Sequence, residues 1–137
     1  MRRKLLDNAH PSTAASLDAL ARLMRDQAKL VEARELVRQR QTFSDAHPDD
    51  WQTFGARSLA GTILFLQKNY AEAEPLLLSG YEGMEQRKER MPAAEKSRLK
   101  EASQYVAQLY EATGRADQAA QWRQKLSQSG PAIEAKQ

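Results

Sequence analysis

The chain has no cysteine among its 137 residues. Disulfide bonds, thiolate metal sites and catalytic thiols are therefore excluded. Long apolar runs are missing as well, since the longest one, residues 63–66, is far too short to span a membrane. The basic start at Arg2, Arg3 and Lys4 is not followed by the apolar stretch of a signal peptide. We therefore expect a cytoplasmic protein that has no membrane partner.

Residues that favour β-strands are also scarce. Valine, isoleucine and threonine are few, and apolar and polar side chains do not alternate over the length of a strand. The hydrophobic fraction is 41%, and much of it is alanine and leucine, which favour helix. The composition therefore predicts an all-α chain.

Neither sign of charge is in strong excess. The chain has 21 Lys and Arg against 18 Asp and Glu, a formal net charge of +3, and the two signs are interspersed, as in residues 85–90. A mixed run of this kind is typical of a solvated helix face. Because the sequence has no basic stripe with interleaved aromatic residues, we expect no nucleic-acid partner.

The residues that commonly carry chemistry are few and scattered. His10 and His47 each precede a proline, which favours a structural role in a loop, since a catalytic histidine needs a nucleophile or a carboxylate beside it. The sequence has no metal-ligand spacing and no phosphate-binding loop. Trp51 and Trp122 are interpreted as helix-packing residues, with a peptide stacked on Trp51 as the alternative. We therefore predict a protein that is not an enzyme and has no cofactor or metal.

Three segments of the chain share one pattern, which indicates an internal repeat. Each has a small residue, a large apolar residue three positions later, then a turn, and then an alanine. A small residue lets two antiparallel helices approach closely, and a large one fills the space beside it. The small residues are Ala21, Gly61 and Ala107; the large ones are Met24, Leu64 and Tyr110; the turns are at Ala28, Lys68 and Gly114; the alanines are Ala33, Ala73 and Ala119.

The pattern predicts six helices in three antiparallel pairs. Pro92 is placed in the first turn of the fifth helix and Gly114 at its C-terminal stop. Pro75 lies close enough to the start of the fourth helix to be tolerated there. The predicted helices cover residues 12–27, 30–43, 49–68, 70–90, 92–113 and 116–127.

These segments resemble the tetratricopeptide repeat (TPR), and residues 70–77, with the sequence YAEAEPLL, resemble the longer repeats of kinesin light chains. Similar arrays occur in bacterial signalling proteins. The resemblance implies a right-handed superhelical α-solenoid of about three helix pairs in residues 9–129. Residues 1–8 resemble the end of a preceding repeat, and residues 130–137 are expected to form a flexible tail. The chain departs from the standard repeat in keeping a turn glycine only at Gly114, and in spacing Ala33, Ala73 and Ala119 more widely than about 34 residues.

The resemblance implies a protein–protein interaction scaffold whose concave groove is lined by the first helix of each pair. A carboxylate clamp of the kind found in some chaperone-binding members is not expected, because only Arg22 has a suitable side chain and Glu101 would repel a carboxylate. The predicted peptide-binding residues are Asp18, Arg22 and Arg25 in the first helix, Ser58, Leu59, Thr62, Phe65 and Leu66 in the third, and Glu101, Tyr105 and Gln108 in the fifth.

Two alternatives remain open at the level of sequence. A hydrophobic or helical peptide anchored at Phe65, Leu66 and Tyr105 is the first interpretation. Phe65 and Leu66 would instead be core residues if they packed against the fifth helix. The array as a whole could also serve as a self-association or intramolecular docking unit within a larger signalling protein, and a homo-oligomer would then form.

Overall fold

The structure is a computed structural model, and it describes residues 11–129. This part of the chain contains seven α-helices and two short 3₁₀ turns, Lys88–Arg90 and Ala93–Glu95, and no strand. The expectations for residues 1–8 and 130–137, and for His10, lie outside the described residues. The helices are α1 Pro11–Asp26, α2 Leu30–Gln39, α3 Gln41–Ala46, α4 Trp51–Leu66, α5 Tyr70–Gln86, α6 Ser97–Ala112 and α7 Ala116–Ser129.

The helices pack as three consecutive pairs. Helix α1 packs on α2, α4 on α5, and α6 on α7, and α4 also contacts α1, α2 and α6. Helix α4 is the most apolar of these helices. This composition fits its central position, where other helices cover it on several sides. The predicted all-α array of helix pairs is confirmed.

The three predicted turns have the same backbone geometry. Ala28, Lys68 and Gly114 have φ angles of 63°, 66° and 78°, in the left-handed region that closes a helix. In each turn the next residue donates a backbone hydrogen bond to a carbonyl five residues back, as in the Schellman motif. The donor and acceptor pairs are Lys29 N to Met24 O, Asn69 N to Leu64 O and Arg115 N to Tyr110 O, each at 2.8 Å.

Helices α4 and α5 approach each other closely because glycines lie between them. A Cβ atom on Gly61 would lie 2.8 Å from Cγ of Leu77, and one on Gly80 would lie 2.6 Å from the backbone nitrogen of Ser58. Both distances are shorter than van der Waals contact allows. The predicted small residue at Gly61 thus has the role that the repeat pattern gives it.

Three helix boundaries differ from the sequence prediction by four or five residues. The fourth helix ends at Gln86 rather than at residue 90. The second helix is interrupted at Arg40, whose side chain turns into the interior beside α1. The fifth helix begins at Ser97 rather than at Pro92, so that prediction is wrong. Met91, which precedes the proline, is extended with ψ of 135° and is buried against α5 and α6, and this arrangement delays the helix.

Three apolar clusters form the core of the described residues. The first joins α1, α2 and α4 around Ile63, and the second joins α4 to α7 around Leu77 and Val106. The third lies at the 3₁₀ turns around Met84 and Met91. No helix in residues 11–129 is both long enough and apolar enough to cross a membrane.

Candidate peptide-binding surface

The eleven predicted groove residues lie on α1, α4 and α6, the three first helices, which contact one another in order. Burial divides these residues into two groups. The expectation that all of them face outward is wrong for the buried group, which comprises Asp18, Arg25, Ser58, Leu59 and Thr62. The remaining residues are at least partly exposed, and they are Arg22, Phe65, Leu66, Glu101, Tyr105 and Gln108.

An ion pair between the outer two of these helices covers the middle one. Nη2 of Arg25, on α1, donates to Oε2 of Glu101, on α6, at 3.1 Å. Nη1 of Arg25 donates to Oγ1 of Thr62, on α4, at 3.3 Å. Arg22 adds a second, longer contact to Glu101 at 3.5 Å. The bridge therefore covers Thr62, whereas Leu59 is buried in the apolar cluster with Ala21 and Ile63.

The Glu101 carboxylate stabilises the charged form of Arg25. Burial opposes the charged form, but the Glu101 carboxylate outweighs that effect and raises the pKa of the Arg25 guanidinium. The same guanidinium lies 5.7 Å from the centre of the Tyr105 ring, within range for a cation–π contact. The bridge thus ties Tyr105 into the same arrangement.

An aromatic cluster beside the bridge keeps part of its surface in contact with solvent. The Phe65 and Tyr105 rings meet edge to face with centroids 5.8 Å apart, and Phe65 also contacts the Tyr70 ring at 5.6 Å. Phe65 is therefore both a packing residue and a partly exposed one. Its neighbour Leu66 is 39% exposed, and Gln108 on α6 is exposed.

The Asp18 side chain is not on the surface, because it pairs with Arg40 in the interior of the protein. Oδ1 of Asp18 lies 2.7 Å from Nε of Arg40, and both side chains are almost fully buried. Burial raises the pKa of Asp18 to about 6, and the nearby Arg40, Arg98 and Arg22 guanidinium groups oppose that rise. Asp18 therefore joins α1 to the junction of α2 and α3.

The sequence interpretation missed Arg40, although a signal was present. Arg40 follows Ala33 and Val37 at helical spacing, so it continues the face that packs against α4. No partner was predicted for Arg40, because the sequence alone does not show that Asp18 lies beside it. Nη2 of Arg40 is buried and has no hydrogen-bond partner among the described residues.

The remaining residues with potential chemistry have structural contacts. The ring of His47 stacks on Phe43 with centroids 4.2 Å apart, and its Nδ1 lies 3.2 Å from the Phe43 carbonyl. Trp122 meets Tyr81 edge to face at 5.0 Å, and Trp51 packs on the cluster of Met84. Within residues 11–129, no group of three or more His, Cys, Asp or Glu is placed to hold a metal ion.

Comparison with known proteins identifies the fold and nothing finer. No family model matches the chain, and no curated protein matches it either. A solved structure does match, that of a Podosopora anserina protein described as a kinesin light chain with nearly identical TPR-like repeats. The TM-score is 0.65 at 18% identity, and the match covers 93% of this chain but only 59% of the other protein. This chain therefore has the fold of a TPR-like helical repeat.

Proposed function

We propose that the chain is a protein-interaction scaffold that binds a peptide or helix of a partner protein in the concave groove of α1, α4 and α6. The observation that carries the proposal is the partly exposed apolar cluster of Phe65, Leu66 and Tyr105 beside charged residues. Apolar and aromatic side chains with a polar rim are typical of the centre of a protein interface. Gln108 and the exposed parts of Arg22 and Glu101 supply that rim.

The buried members of the predicted groove support this surface from below. Ser58, Leu59 and Thr62 do not touch the peptide in this proposal, because all three are buried and the bridge from Arg25 to Glu101 covers Thr62. Leu59 packs in the apolar cluster of α1, α2 and α4, and Ser58 lies against Gly80 on α5. The peptide lies at the end of the groove where α4 finishes, with its apolar side chains against Leu66 and Tyr105.

A binding measurement with a point variant tests the proposal. Peptides are selected from a random library on the purified chain, and a selected peptide is titrated by fluorescence anisotropy. Leu66→Asp should weaken binding by about tenfold or more, because it places a charge in an apolar contact. Ala120→Asp is the matched control, since Ala120 is exposed on α7, outside the groove of α1, α4 and α6. This change adds the same charge and should leave the affinity within about twofold.

Equal affinities of the wild type and Leu66→Asp would contradict the proposed site. An equal loss in the Ala120→Asp control would also contradict it, because the effect would then follow net charge. Far-ultraviolet circular dichroism of both variants should be unchanged, since neither side chain is buried.

The absence of cysteine from the sequence supports the reducing cytoplasm as the compartment in which the scaffold acts. Cell fractionation tests this part of the proposal. Recovery of the native protein in an oxidising compartment would contradict it.

The second candidate function is self-association, and two exposed leucines on α1 favour it. Leu20 and Leu23 are 43% and 48% exposed and lie three residues apart on one helix face. In a stacked array a further helix would cover such a face. If the chain self-associates there, sedimentation equilibrium should show a rise in mass with concentration that Leu20→Asp/Leu23→Asp abolishes. A constant mass of one chain over a hundredfold concentration range would remove this candidate.

A further inference from the structure

A second concave surface lies between α2 and α5, away from the three first helices. A cavity of about 450 Å³ is bounded by α2, by one face of α4 and by Leu76 on α5. A narrower cavity of about 130 Å³ continues toward α3. Both cavities share Val37, Ala60 and Leu76 as wall residues, so they form one elongated depression, here named the α2–α5 cleft.

The walls of the α2–α5 cleft are apolar in the middle. Leu64, Leu76 and Val37 line it, and Val31 at its wide end is 73% exposed. Val31 is the most exposed large aliphatic residue in the described part of the chain. The second helices of the first two pairs therefore leave apolar surface between them that neither helix covers.

The rim of the cleft is rich in arginine. Arg34, Arg38 and Arg57 line the cleft, whereas Glu35 is the single acidic residue among the described lining residues. Glu35 is already paired with Arg38 at 2.6 Å. Arg34 contacts only the neutral amide of Gln67, and Arg57 donates to the neutral hydroxyl of Ser79. Among the described residues, neither Arg34 nor Arg57 forms an ion pair with a carboxylate.

A buried cation lies at the narrow end of the same cleft. Arg40 lines this part, and its Nη2 has no hydrogen-bond partner among the described residues. Its charge is balanced by the Asp18 carboxylate, 2.7 Å from its Nε, and its side chain is fully buried, so Arg40 adds no accessible cation to the cleft. The cations that an acidic ligand would meet are Arg34 at the wide end and Arg57 at the narrow end, with aliphatic side chains between them.

We propose that the α2–α5 cleft binds an amphipathic acidic segment of a partner protein. The aliphatic side chains of that segment contact Val31, Val37 and Leu76, and its carboxylates pair with Arg34 and Arg57. Nucleic acid fits less well, because among the described lining residues no aromatic side chain is available to stack on a base. This site is separate from the groove of α1, α4 and α6, and it stands or falls independently of binding there.

The probe is a fluorescein-labelled synthetic peptide of about sixteen residues, with leucine at positions three and four apart and glutamate elsewhere. It is titrated with the 137-residue chain by anisotropy. The double variant Arg34→Glu/Arg38→Glu should weaken binding by about tenfold or more, because it replaces attraction at the rim with repulsion. Raising the salt concentration should weaken binding to the wild type as well.

The matched control is Lys88→Glu/Arg90→Glu. It changes the net charge by the same amount and also removes exposed ion pairs, but it lies outside the cleft. Its affinity should stay within about twofold of the wild type. Val31→Ser changes no charge and should weaken binding by roughly threefold, because both methyl groups of Val31 are lost from a partly exposed apolar contact. Leu66→Asp should leave binding of this peptide unchanged.

Four results would overturn the proposal. The first is no binding of the acidic peptide, and the second is an equal loss in the control, which would show attraction to net charge alone. The third is an unchanged affinity of Val31→Ser, which would show that the cleft binds any polyanion without an apolar contact. The fourth is equal or tighter binding of a single-stranded DNA oligonucleotide or of a peptide with lysine in place of glutamate.

Discussion

The buried ion pair of Asp18 and Arg40 offers the sharpest test of the structure. Arg40→Met removes the guanidinium but keeps an unbranched apolar side chain at a site with 0% exposure. Asp18 is then left buried at 2% exposure without the cation that lies 2.7 Å from it. Removing one partner of a buried pair destabilises a protein by about 3–5 kcal/mol. We expect a loss of that size in the free energy of unfolding.

The reverse single variant should behave in the same way, and the double variant should not. Asp18→Leu leaves Arg40 with only the hydrogen bond from its Nη1 to Ser44 Oγ at 2.9 Å. In Asp18→Leu/Arg40→Met no buried charge remains, so the free energy of unfolding should return to the wild-type value or exceed it by about 1–4 kcal/mol. The coupling energy of this double-mutant cycle, which is the sum of the two single losses when the double variant loses nothing, should therefore be about 6 kcal/mol or more.

Urea unfolding followed by circular dichroism gives all four free energies. Arg38→Met is the control, because Arg38 lies two residues away, is 74% exposed as a side chain and pairs with Glu35 on the surface. Exposed pairs contribute only about 0–1 kcal/mol. If Arg40→Met cost no more than Arg38→Met, the burial of the pair, and with it the reasoning on how α1 is joined to α2 and α3, would be refuted.

The remaining predictions concern glycine contacts, turns and pH. Gly80→Ala should lower the free energy of unfolding by about 1–3 kcal/mol in urea titrations, because a Cβ there meets the α4 backbone. Gly55→Ala, where the nearest atom is 3.6 Å away, should instead stabilise the helix by up to about 1 kcal/mol, and equal effects of the two variants would contradict the packing. Both Lys68 and Gly114 have positive φ, which glycine adopts without strain and other residues do not. Lys68→Gly should therefore raise the melting temperature and Gly114→Ala should lower it, each by the equivalent of about 1 kcal/mol. Shifts of the melting temperature in the opposite directions would contradict the turn geometry. Burial raises the pKa of Asp18 to about 6 from 3.8, so the folded chain takes up this proton before the unfolded chain as pH falls. Its contribution to stability should therefore grow by about 1 kcal/mol from about pH 7 to about pH 5, and unfolding of Asp18→Asn over that range should lack this gain. An unchanged pH slope in Asp18→Asn would show that the raised pKa is wrong.

The fold could be predicted from the sequence because its signals are local and repeated. The small residue at Gly61 and the turn positions at Lys68 and Gly114 each follow from the geometry of a single helix pair. Three copies of the pattern then fix the pairing, since neighbouring pairs stack. The delayed start of α6 escaped prediction because it depends on the burial of Met91, a tertiary contact that outweighs the helix-starting preference of Pro92.

The candidate surface could be predicted only in part. Helical periodicity shows which face of a helix a residue lies on, but not whether side chains from another helix cover that face. Thr62 does lie on the side of α4 that faces the bridge between α1 and α6. Whether such residues reach solvent depends on side chains from other helices, and here Arg25 spans the gap to Glu101. Those residues are 76 positions apart in the chain, so no local pattern links them.

We propose two surfaces for partners, and not one, because the first helices and the second helices present different side chains. Across the first helices, cations and carboxylates meet in the bridge from Arg25 to Glu101, so charge there is balanced and the apolar cluster at Phe65 remains for contact. Across the second helices no such bridge joins α2 to α5 within the described residues, and Arg34 and Arg57 keep neutral partners. The two faces therefore differ in the ligand chemistry they favour, which is apolar in the groove and acidic amphipathic in the α2–α5 cleft. Two partners of those different chemistries could occupy one chain together, because no residue proposed as a contact in one site is a contact in the other.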